Sequence, residues 1–132
     1  EKLIQLYKNI KIGQERVFLG FNESKKAKAN YLEQKYDLAE QQYLKAYEYD
    51  PLEYSYIESL VGMNAFLERY DKALEYYSIF QKNHKTLDGK IEYLSGIAYQ
   101  KTNQKNKACI NFKISLKKGY KASREKLKNC NN

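Results

Sequence analysis

Tryptophan is absent from this chain, proline and histidine occur once each (Pro51, His84), and six glycines punctuate 132 residues. So few chain-reversing residues exclude a fold made of many tight hairpins, such as a β-sandwich or a small barrel. No apolar run approaches the roughly 18 residues that span a bilayer, and no signal-peptide pattern is visible. Two cysteines 21 residues apart and one distant histidine do not have the spacing of a zinc site. A glycine-rich phosphate loop is missing. The pattern places neither Cys nor Ser beside His84, so no nucleophile–base pair is set up. Glu33, Glu58 and Glu92 read as ordinary solvated helix carboxylates, and Asn22 or Ser24 as a helix cap. The expectation is a chain without catalytic activity, metal or cofactor.

What is abundant is tyrosine, with 14 residues against 5 Phe. Its apolar body and polar tip suit half-buried positions between packed helices and suit binding surfaces equally. The length points to one domain, residues 1–132. The net charge of +8 is uneven: residues 101–128 hold ten Lys or Arg and one acid, Glu125. A basic end of this kind raises an anionic partner as a candidate.

Three stretches repeat. Tyr36-Asp37-Leu38-Ala39, Tyr70-Asp71-Lys72-Ala73 and Lys105-Asn106-Lys107-Ala108 align, each followed four residues later by an aromatic: Tyr43, Tyr77 and Phe112. Ala39 to Ala73 is 34 residues and Ala73 to Ala108 is 35, the extra residue fitting the loop around Asn83–Gly89. Within each unit the apolar residues recur every three or four positions, which is a helical stripe. A small residue at constant phase marks a close helix crossing. A second helical segment precedes each stripe, with Ala27, Val61 and Gly96 in phase. Chain breaks near 33–35, 68–69 and 102–104 separate the two segments, and Pro51 ends the first pair.

This pattern, at this period, resembles the tetratricopeptide repeat family, of the bacterial type that carries a C-terminal cysteine pair. The resemblance implies an all-α superhelix (a solenoid of three helix-turn-helix repeats) at residues 22–53, 54–87 and 88–121. An N-terminal helical extension, 1–21, would pack over the first repeat, and a cap helix, 122–132, would close the last. It also implies a scaffold, alone or as part of a larger assembly, that binds a protein or peptide in a concave groove lined by the first helix of each pair. The groove residues it implies are Lys28 and Tyr31 with Ser24, then Glu58 and Phe66, then Lys90, Tyr93, Ile97 and Lys101. Tyr31, Phe66 and Tyr93 would form an aromatic ladder. Ser24, Ser59 and Leu94 stand where a carboxylate clamp would place polar or basic groups, so a clamp for a chaperone tail does not fit.

Two alternatives stay open. Cys109 and Cys130 fall at about the same level of two antiparallel helices, so they are either a disulfide that staples the cap or two free thiols. A disulfide would favour a periplasmic or extracytoplasmic location, and free thiols the cytoplasm. Lys113, Lys117, Lys118, Lys121, Arg124, Lys126 and Lys128 could instead bind an anion or nucleic acid, although only Tyr120 is near to stack on a base.

Overall fold

The structure, a computed structural model, describes residues Glu1–Cys130. Those residues form seven α-helices and no strand: α1 (Lys2–Leu32), α2 (Tyr36–Tyr49), α3 (Tyr54–Phe66), α4 (Tyr70–Asn83), α5 (Lys90–Lys101), α6 (Lys105–Lys117) and α7 (Ser123–Leu127). The final two residues of the expected cap, 131 and 132, lie outside the described region. The helices alternate with short turns as tandem hairpins, the α–α fold of a tetratricopeptide-type repeat. The chain divides into two compact units, Glu1–Tyr56 and Ile57–Asn132.

One turn is used three times. Gln34, Glu68 and Asn103 have φ of 64°, 60° and 62°, the left-handed region that a side chain seldom adopts. After each first helix the amide three residues beyond its last residue reaches back five residues. Lys35 N donates to Asn30 O, Arg69 N to Asn64 O and Gln104 N to Tyr99 O, each at 2.8 Å. This is the Schellman closure, which satisfies carbonyls the helix end leaves open. The turns fall where the sequence places them, but none carries the glycine that such a turn favours.

In the first unit, α2 packs along the C-terminal half of α1. Arg16 Nε and Nη2 donate to Tyr49 O (3.1 Å) and Glu48 O (2.8 Å), capping the negative end of α2. Asn30 Nδ2 donates to Gln42 Oε1 at 2.7 Å. Ala27, Ala39 and Ala46 are fully buried. Gly20 sits where a Cβ would lie 3.1 Å from Ala46 O, so the close approach needs a residue without a side chain. Contrary to expectation, the helix does not begin near Asn22 or Ser24. It runs unbroken for 31 residues, because nothing before Leu32 breaks it and Gly20 is held by α2. The extension is therefore the N-terminal half of α1 itself. It meets the first repeat where Gly20 lies on Ala46 and Arg16 caps α2, while Val17, Phe18 and Leu19 remain exposed.

In the second unit the core gathers Ile57, Leu60, Val61, Ala73, Phe80, Ile91, Ala98, Ala108 and Phe112. Gly96 faces the Phe112 ring so closely that a Cβ would lie 2.6 Å from it. A polar chain runs through this core. Asn111 Nδ2 on α6 donates to Ser95 Oγ on α5 (2.8 Å) and to Tyr77 Oη on α4 (3.2 Å). Burial pushes the Tyr77 phenol above its ordinary range.

The short α7 is fastened twice. Ser123 Oγ donates to Ser115 Oγ (2.8 Å), which donates to Gly89 O (2.6 Å). Gly89 needs its positive φ of 79°, and a Cβ there would meet Ser115 O. Cys109 and Cys130 are joined with Cα atoms 5.7 Å apart, inside the usual span of a disulfide.

Replacing Gln34 or Glu68 by glycine should raise stability by about 0.5–1 kcal/mol each, because the left-handed strain outweighs glycine's extra freedom in the unfolded chain. Urea midpoints check this; a drop for both variants would mean the turns are not strained. Cys130→Ser should lower stability by up to about 3 kcal/mol, the loop-closure contribution for a loop of this size. Amide exchange should quicken in residues 120–130 while the second unit's core stays protected.

Candidate functional site

In the first unit the groove residues come from α1. Lys28 is exposed. It lines a shallow, open hollow with Phe21, Ser24, Lys25, Ala29 and Leu32. Lys25 Nζ lies 5.5 Å from the centre of the Phe21 ring, a cation–π distance. Ser24 Oγ donates to Phe21 O at 2.7 Å, a local bond within the helix. Tyr31 is half-buried, its ring edge-on to Tyr36 at 5.5 Å. Tyr31 thus braces the hairpin.

In the second unit the residues come from α3 and α5. Gly62 brings these helices close, since a Cβ there would touch Leu94 at 3.4 Å. Lys90 and Lys101 are exposed and Ile97 is half-buried. Phe66 ends α3 with 67% of its surface exposed. Tyr93 is half-buried, packed on Phe112 (6.1 Å) and Tyr120 (5.0 Å). It is a rigid surface rather than a free rung of a ladder. The exposed aromatic anchor in this unit is therefore Phe66.

The carboxylates differ from their expected role as solvated helix residues. Glu33 is exposed, but Glu58 is half-buried and Glu92 is buried. Lys118 Nζ donates to Glu92 Oε2 (2.7 Å) and to Thr86 O (2.8 Å). Lys118 is thereby withdrawn from the basic patch it was read into, by a partner 26 residues away that no local pattern reveals. Glu58 Oε2 and Glu92 Oε1 are buried with no hydrogen-bond donor among the described residues. Burial raises the Glu58 carboxyl above its ordinary range; Lys90 opposes this, while Asp88 and Glu92 add to it. Among the described residues no three of His, Cys, Asp and Glu gather as a metal site. No helix there is long and apolar enough to cross a membrane.

The chain matches no family model and no curated protein. Its fold is similar to that of the N-terminal domain of stress-induced protein-1 from C. elegans, with a TM-score of 0.75. That likeness covers 86% of this chain and 94% of the other, at 18% identity.

A carboxyl with a raised folded-state pKa contributes stability that is complete below its ordinary pKa and is lost as pH climbs through the raised value. Glu58→Gln should therefore raise the melting temperature at pH 7. The gain should shrink as pH falls toward about 4, where an ordinary Glu takes up its proton. Melts at both pH values decide it: a variant less stable at pH 7 would mean the Lys90 attraction outweighs burial.

Proposed function

We propose that the chain is a non-enzymatic scaffold that binds a protein or an extended peptide along the first helices of its hairpins. The observation that carries this reading lies in the second unit, where Phe66 is exposed on α3 and Lys90 and Lys101 are exposed on α5; in the first unit Lys28 is exposed on α1. An exposed aromatic together with exposed cations suits a ligand with an apolar anchor and acidic neighbours, and a few such anchors dominate most interfaces. Lys90 and Ile97 would extend the contact, with Tyr93 and Tyr31 as fixed walls and Glu58 as a polar discriminator. The Cys109–Cys130 pair supports an oxidising, extracytoplasmic setting and the bacterial type of repeat that ends this way.

The second reading, an anion or nucleic-acid surface, keeps Lys113, Lys117, Lys121, Arg124 and Lys128, all exposed, and the half-buried Lys126. With Lys118 engaged by Glu92, the patch has one cation fewer than its sequence suggests.

Peptides selected from a random library against the intact chain separate the two. Fluorescence anisotropy should show Phe66→Ala and Lys101→Glu each weakening the best binder by about tenfold or more. Charge reversal at Lys113 and Lys121 should leave it unchanged. The opposite pattern, with salt-sensitive retention on heparin lost on that charge reversal, would favour the basic surface instead.

A further inference from the structure

The N-terminal half of α1 presents far more apolar surface than a helix in water tolerates singly. Leu3, Tyr7, Ile10, Val17 and Phe21 are 52–80% exposed, and Ile4, Leu6 and Phe18 beside them are 55–63% exposed. Together they offer on the order of 1,000 Å² of apolar area, comparable to the roughly 800 Å² that one side of a standard interface contributes. The α2 seam falls on Gly20, Ala27 and Asn30 and leaves this face exposed, although Ile10, Gln14 and Val17 border an open hollow against the end of α2.

The spacing of the face identifies what fits it. Leu3, Tyr7, Ile10, Gln14, Val17 and Phe21 alternate steps of four and three, which is the 3.5-residue period of a two-stranded coiled coil. We propose that this segment pairs with the same segment of a second copy, antiparallel about a two-fold axis near Ile12. In that register Leu3 meets Phe21 of the second copy, Tyr7 meets its Val17, and Ile10 meets its Gln14. Gly13, with nothing within 4 Å of a built Cβ, comes next to its own counterpart and allows the axes to approach. A two-fold contact is satisfied by one surface patch on each copy and closes at two. Residues 1–16 carry four cations (Lys2, Lys8, Lys11, Arg16) against Glu1 and Glu15, so like charge opposes the pairing and salt strengthens it.

Sedimentation of the intact chain over the micromolar range tests this. A monomer–dimer equilibrium that tightens with added salt is expected. Ile10→Asp and Val17→Asp should each weaken it by more than about 30-fold, the effect of an unpaired charge in a closed apolar seam, with helicity unchanged. Orientation is read with a short bismaleimide, which spares the Cys109–Cys130 bond. Leu3→Cys mixed with Phe21→Cys should cross-link, and Leu3→Cys alone should not. A monomer at every concentration, or a dimer indifferent to Ile10→Asp, overturns the proposal. So does a monomer whose α1 instead binds anionic vesicles, less tightly as salt rises.

Discussion

Each first helix ends on a residue forced to positive φ, and the hairpins depend on that closure. Once the chain turns within three residues, the following helix must lie against the preceding one, and only small side chains can occupy the crossing. Ala39, Ala73 and Ala108 hold that place in the second helices, with Ala27, Val61 and Gly96 in the first. The tyrosines and Phe112 then fill the space beside the crossing. The turn hydrogen bonds are nearly identical across the three repeats, while the residues that make them, Gln34, Glu68 and Asn103, are not. Backbone geometry is repeated more faithfully than side-chain identity.

The hairpins were legible because their packing is local and periodic. An alanine and an aromatic four residues apart recur at a fixed interval, and helical geometry does the rest. The long α1 was not legible: Asn22 and Ser24 look like caps, yet the helix runs straight through them with Gly20 set against α2. The polar chain from Asn111 through Ser95, and the Lys118–Glu92 pair, link residues 16 and 26 positions apart. Such pairs leave no signature in spacing. For the candidate groove, the pattern could place residues on the first helices, but it could not tell that Tyr93 would be braced by Phe112 and Tyr120 while Phe66 stands in solvent.

Two kinds of surface are left over once the core is accounted for. One is mixed: an exposed aromatic, lysines, and the half-buried Glu58, one of whose oxygens finds no donor among the described residues. On the proposed reading such a surface would discriminate among ligands, because an unpaired buried oxygen penalises those that cannot satisfy it. The other, on the N-terminal half of α1, is broad and apolar, and its period of 3.5 matches its own copy. The two differ in chemistry, so peptide binding and self-association can be separated experimentally.

The most direct measurement is amide exchange on the intact chain with and without a saturating library-selected peptide. Binding along the first helices predicts slowed exchange toward the C-terminal ends of α3 and α5, around Phe66 and Ile97–Lys101, with α6 and α7 unaffected. Protection confined to α6 and α7, where the basic patch lies, would contradict it.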